Sequence, residues 1–228
     1  ITIVDIDEDS LAMRGQWPWP RDMLADLIDI LAEHAPSAVG VNIVFPESDR
    51  LSPENLLQRF PMDAPLRESL AQLPSNDEIL AFSLRQVPAV LGAAVNAAAP
   101  PSGDVSALSV PILLRLGQQG ATEIRRYPAL LRNLPVLEEA SVGIGVVSHE
   151  YSGDGVVRRM PIIMLVGDAV LPSFAVEVVR VAMQVPAISV EIEGPGISSV
   201  TLGDKVIRTA FSGEIWLRER ALEHIPRL

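Results

Sequence analysis

With 228 residues, 48% of them apolar and 21% charged, the chain has the balance of a globular domain rather than a disordered segment. Its formal net charge is −11 and Lys205 is its single lysine, which excludes the basic stripe that nucleic acid or an anionic membrane surface requires. The absence of cysteine excludes disulfides and thiolate-held metals.

No stretch reaches the roughly 18 to 20 apolar residues of a spanning helix. The densest, Met160 to Met183, is interrupted by Gly167, Asp168 and Pro172. The chain opens inside an apolar run without an initiator methionine or a signal peptide, so it is expected to be a water-soluble piece of a longer protein.

In chain order, Ile1 to Ile6 is a short β-branched run of the kind buried in parallel sheets. From Arg21 to His34, Met23, Leu24, Leu27, Ile28 and Leu31 recur at helical spacing between Asp22, Asp26, Asp29 and Glu33. This predicts an amphipathic helix with Pro20 at its first turn and Ala35-Pro36 as its stop. Val39 to Phe45 reads as a second strand closed by Pro46, and a helical crossover makes the two strands parallel. Pro53, Pro61, Pro65 and Pro74 divide the region of about 48–76 into two helical pieces, Glu54 to Phe60 and Leu66 to Leu73, an insertion over one edge. A helix from Asp77 to Arg85, a third strand from Ala89 to Val95 and a loop from Ala97 to Gly103 complete the first half.

The second part, about 142–217, is expected to pair antiparallel. Val142 to Tyr151 and Val156 to Val166 flank Ser152-Gly153-Asp154-Gly155, a hairpin signal. Pro172 to Met183 has a helical pattern, and Ser189 to Arg208 reads as two or three strands turning at Gly194-Pro195-Gly196 and Gly203-Asp204. The expected fold class is α/β with a mixed sheet. An N-terminal parallel βαβαβ unit is followed by antiparallel hairpins, with helices packed on the sheet, in a single domain spanning 1–228.

Asp5-Ile6-Asp7-Glu8-Asp9-Ser10 is the most chemically suggestive stretch. Two carboxylates at alternate positions of a strand share a face, which is how a metal or a phosphoryl group would be held. A haloacid dehalogenase-like phosphatase using Asp5 and Asp7 is the enzyme alternative, although Asp9 stands where such enzymes want Thr or Val. An EF-hand loop would need glycine at Ser10 and glutamate at Gln16. The structural alternative has one acid capping the following turn and another pairing with an arginine. Trp17-Pro18-Trp19-Pro20-Arg21 forms a stiff aromatic entry to the helix, either plugging the sheet end or stacking on a ligand. Arg21 is expected to satisfy Asp5 or Asp7 at the carboxyl end of the sheet, where open α/β sheets bind ligands. His34, His149 and His224 lack metal spacing, and no nucleotide-binding or nucleophile-elbow motif is present. Arg158 and Arg159 read as one salt bridge and one solvated charge. No cofactor, metal or catalytic residue is expected.

Taken together, Ile3-Val4-Asp5-Ile6-Asp7, Ser10-Leu11, Gly15, Trp17-Pro18-Trp19-Pro20-Arg21 and Val39-Gly40-Val41-Asn42-Ile43-Val44-Phe45 resemble the opening of the CHASE type 2 sensor domain. Asp77, Leu80 and Ala81 are similar to its next helix. Leu137, Ala140, Gly143, Asp154-Gly155-Val156, Arg158-Arg159 and Pro161 resemble its late hairpin, and Pro172-Ser173-Phe174-Ala175 with Glu177 its following helix. Asn42 stands where the family usually has Asp, which weakens joint chelation of a cation. The resemblance implies a non-enzymatic, extracytoplasmic (periplasmic) input module of a bacterial membrane receptor, flanked by transmembrane helices of the same chain. It implies a cytoplasmic adenylate or guanylate cyclase as first-ranked output. A histidine kinase, a serine/threonine kinase or a diguanylate cyclase follows. The resemblance does not supply the stimulus, which is expected to be an unknown small molecule or protein, and a homodimer is a separate expectation for the full receptor. Asp5, Asp7, Trp17, Arg21 and Asn42 are the candidate ligand-binding residues, and a ligand-free structural spacer is the remaining alternative.

Overall fold

The computed structural model describes residues 1–95, 111–116, 122–148 and 154–218. The expected loop at Ala97 to Gly103, the tip of the expected hairpin at Ser152-Gly153, and His149 and His224 lie outside them.

Asp7 caps the short helix α1 (Glu8–Arg14), its carboxylate accepting from the Ser10 amide at 2.9 Å. Helix α2 (Arg21–Ala32) follows Pro20 and buries Leu24, Ala25 and Ile28, the face its periodicity predicts. The next elements are β1 (Val39–Val41), α3 (Pro53–Arg59), α4 (Ala64–Ala71), α5 (Asn76–Leu84) and β2 (Ala89–Val95). Helix α5 opens on a capping box between Ser75 and Glu78. Both proline-bounded helices expected between residues 48 and 76 are present, and α4 buries none of its residues.

After β2 come β3 (Ile112–Leu116), β4 (Arg126–Tyr127), β5 (Leu130–Leu131), α6 (Pro135–Glu138) and β6 (Gly143–Val146). Strand β2 is central to the first sheet. It pairs parallel with β1 and with β6, and its last residues pair antiparallel with β5. The expectation of a strand at Ile1 to Ile6 is overturned: the segment holds only a single-residue bridge at Ile3, and the second parallel place beside β2 belongs to β6. Ile1 and Val4 are exposed, so the run lacks the two covered faces of a buried parallel strand. The late hairpin is corrected among the described residues too: β6 pairs parallel with β2, and residues 159–166, after Asp154-Gly155, pair with other segments.

The remaining elements are β7 (Arg159–Pro161), β8 (Ile163–Val166), β9 (Ala169–Pro172), α7 (Phe174–Ala182), β10 (Ile188–Glu193), β11 (Gly196–Leu202), β12 (Lys205–Arg208) and β13 (Glu214–Trp216). The hairpin that does form is β8 with β9, turning on Gly167 and Asp168, where Gly167 adopts φ 56°. A second sheet, in the order β12, β11, β10, β3, realises the strands expected between Ser189 and Arg208 and adds β3 parallel to β10. Strand β7 pairs antiparallel with β13, and β4 lies parallel to β8.

Helices cover both faces of the first sheet. On one, α2, α5 and α6 pack Leu24, Ile28, Leu80, Leu84 and Leu137 over Ala89 and Leu91. On the other lies α7, whose approach depends on glycines. A Cβ at Gly145 would sit 2.4 Å from Phe174 Cα, and one at Gly143 would sit 2.2 Å from Glu177 Oε1. Glu177 is fully buried and accepts from Arg180 Nη2 at 2.6 Å and Nε at 2.8 Å, while Arg180 Nη1 reaches the Val185 carbonyl at 2.9 Å. The two-pronged pair satisfies the charge that α7 places against the sheet.

Candidate functional site

At the carboxyl end of β1 the chain runs from Ile43 to Leu51 opposite the Trp17 to Arg21 entry of α2, and a groove of about 370 Å³ lies between them. This is the position at which open α/β sheets bind ligands. Its shape is held from below. Asn133 donates to the Gly92 carbonyl at 2.9 Å and accepts from the Phe45 amide at 2.8 Å, so the segment after β1 is tied to β2.

Arg21 organises the floor. Its Nη1 donates to the Asp77 carboxylate, its Nη2 to the Glu47 carbonyl, and its amide to Asp49 Oδ2 at 2.8 Å. The guanidinium also lies over the Phe45 ring, 5.1 Å from its centroid. Asp49 accepts further bonds from Leu51 N–H at 2.9 Å and Asn76 Nδ2 at 2.8 Å, and its own amide donates to Asp77 Oδ2 at 3.2 Å. Arg21, Asp49, Asn76 and Asp77 are all buried. The expectation that Arg21 pairs with Asp5 or Asp7 is therefore corrected: its carboxylate is Asp77, in the first turn of α5. Without a strand at residues 1–6, Asp5 and Asp7 are exposed and are not presented side by side on a sheet. The Ser10 amide and hydroxyl hold the Asp7 carboxyl below its ordinary range, the effect of its capping role.

Burial pushes the Asp49 carboxyl up, but the Arg21 and Leu51 amides, the Asn76 side chain and the Arg21 charge together hold it below the usual carboxylate range. A depressed carboxyl contributes stability that is present above its unfolded pKa, about 3.9, and is lost as pH falls through the folded value. Urea unfolding of the wild type is expected to show that loss below about pH 4. Asp49→Asn should lower stability at neutral pH and flatten the acid limb; an unchanged limb would show that Asp49 does not link folding to protons.

Within the aromatic entry, Trp19 is partly buried against the α2–α5 core and its Nε1 donates to the Gly15 carbonyl at 2.8 Å. The Trp17 ring lies 6.3 Å from it, tilted by 58°, and Trp17 keeps 41% of its surface exposed. Of the residues expected at the site, Trp17 and Arg21 line the groove. Asp5, Asp7 and Asn42 are exposed and are not among its lining. Sequence reasoning missed Asp49, whose only signal was a carboxylate just beyond the Pro46 stop, and missed Asp77 as the partner of Arg21. Arg158 bonds exposed Asp154 at 2.7 Å, and Arg159 faces buried Glu214 at 3.7 Å while stacking on Trp216 at 5.0 Å. Among the described residues no group of three His, Asp or Glu side chains is placed to hold a metal ion, and no helix is long and apolar enough to cross a membrane.

A parallel layer covered by helices on both faces, with a groove where its first strand ends, defines an α/β domain. The family model of the CHASE2 domain matches residues 1–227, essentially the whole chain, and the chain belongs to that family. CHASE2 domains are sensory rather than catalytic, and they are extracytoplasmic domains of membrane receptors. No curated protein and no solved structure matches the chain.

Proposed function

We propose that this domain is the input module of a bacterial transmembrane receptor, receiving its stimulus in the groove between Trp17 and Leu51 and regulating a cytoplasmic output. The family match across residues 1–227 carries the proposal. An adenylate or guanylate cyclase is the first-ranked output, ahead of a histidine kinase, a serine/threonine kinase or a diguanylate cyclase. Transmembrane helices of the same chain would convey the signal, and the full receptor would be a homodimer. Placement outside the cytoplasm is tested with the full-length receptor carrying a reporter inserted at Gln72, the residue that ends α4. Alkaline phosphatase inserted there is expected to be active. Activity from a cytoplasm-dependent reporter alone would contradict the proposal.

A further inference from the structure

Resting on the proposal that the groove is the sensory site, we propose that it takes a monovalent organic cation with an apolar body, such as an aryl-alkyl amine or a quaternary ammonium compound. Three observations converge on that chemistry. The first is an aromatic platform at the open side of the groove. Trp17 lines it with 41% of its surface exposed, and its neighbour Trp19 is fixed by the hydrogen bond to Gly15 and by packing against the core. Prolines on both sides of Trp19 stiffen the segment, so the platform loses little freedom when a ligand covers it. An indole face attracts a cation more strongly than the other aromatic side chains do.

The second observation is charge. The floor holds one guanidinium, Arg21, against two carboxylates, Asp77 and Asp49, and hydrogen bonds keep Asp49 ionised. The exposed rim adds Glu47 and Arg50, which offset each other. The lining itself balances Arg21 and Arg50 against Glu47 and Asp49; with Asp77 counted, which pairs with Arg21 from behind the lining, the region holds three carboxylates against two guanidinium groups, and the domain around it carries a formal −11, a field that concentrates cations and repels anions. Arg21 offers an incoming carboxylate or phosphate little, because its charge is directed inward to Asp77 and the Glu47 carbonyl.

The third is a precedent inside the groove itself. The Phe45 ring already receives a cation, the Arg21 guanidinium, at 5.1 Å. Trp17 brings a second, more strongly attracting ring to the same lining, on the side open to solvent. A volume of about 370 Å³ suits a small ligand with one ring or a few alkyl arms.

The test uses the purified chain and three probes of similar size: phenethylamine, 3-phenylpropionate and 2-phenylethanol. Tryptophan fluorescence and thermal unfolding are followed as each is added. Phenethylamine is expected to quench saturably and to raise the unfolding temperature, with an affinity that weakens as salt rises. Trp17→Ala should weaken it about tenfold and Trp17→Phe by less, followed by the thermal shift since the reporting indole is removed. Should Trp17→Ala be poorly folded, Trp17→Phe alone decides, and unchanged binding in the folded variants would place the cation elsewhere and overturn the proposal. Binding of the acid or the alcohol as well as the amine, still dependent on Trp17, overturns the ligand class while leaving the groove as a site. No saturable binding by any of the three overturns the class and the groove together, whereas the reporter fusion at Gln72 judges the receptor placement separately.

Discussion

Arg21→Ala is expected to destabilise the domain by about 3 to 5 kcal/mol, because it leaves two buried carboxylates, Asp77 and Asp49, without their cation. The Arg21 and Asp77 side chains are 10% and 6% exposed, so water cannot take over the lost bonds without opening the α2–α5 contact. The same change frees the Glu47 carbonyl and uncovers the Phe45 ring. A loss of that size is a large share of the roughly 5 to 15 kcal/mol that holds an ordinary domain together. In urea the midpoint should fall with the slope unchanged. Arg21→Met combined with Asp77→Leu should recover the part of the loss that belongs to the Arg21–Asp77 pair, since a buried pair can be exchanged for apolar packing, while Asp49 stays without its cation. A near-neutral Arg21→Ala would show that the network does not stabilise the fold and would make the arginine available to a ligand.

Gly145→Ala should be comparably damaging for a different reason. Its added methyl would meet three backbone atoms of the Ser173–Phe174 linkage: Phe174 Cα at 2.4 Å, Phe174 N at 2.8 Å and the Ser173 carbonyl oxygen at 3.0 Å. None of these atoms can swing away, so relief requires lifting the start of α7 off β6, at a cost of about 3 kcal/mol. Gly92→Ala makes the useful contrast. Its closest neighbour is Val147 Cγ1 at 2.8 Å, a side-chain atom that can rotate, so the smaller loss is expected there. Thermal or urea unfolding of the two variants side by side checks the order. Equal effects would mean that α7 is not held against the sheet as described.

How much of this was legible in the sequence follows from the range of each interaction. Helix α2 was, because Leu24 and Ile28 repeat at the helical period and Pro20 marks the first turn. So were α5, β2 and the turns at Gly194 to Gly196 and Gly203-Asp204, where capping or turn residues fix the backbone locally. The parallel pairing of β1 with β2, across the three helices α3 to α5, also agrees with the expectation, although β1 is only three residues long. At the candidate site, the aromatic entry and Arg21 are contiguous and so are legible directly, and the structure sets them opposite the residues that follow β1.

What failed depended on partners distant in the chain. Ile1 to Ile6 has the composition of a strand, but a strand exists only with a hydrogen-bonded neighbour, and β2 takes β1 and β6 instead. Nothing local to Val142 or to Asp154-Gly155 says that β6 will pair parallel with a strand far earlier in the chain rather than with the segment that follows it. The partner of Arg21 was likewise misplaced among the nearby acids, whereas packing brings Asp77 from 56 residues away. The sequence by itself determined the family, the helices, the charge of −11 and the aromatic entry, since each is a property of contiguous residues. Only the tertiary structure decided which strands pair, which carboxylates surround Arg21 and where the groove opens, because those depend on which elements compete successfully for the same buried surface.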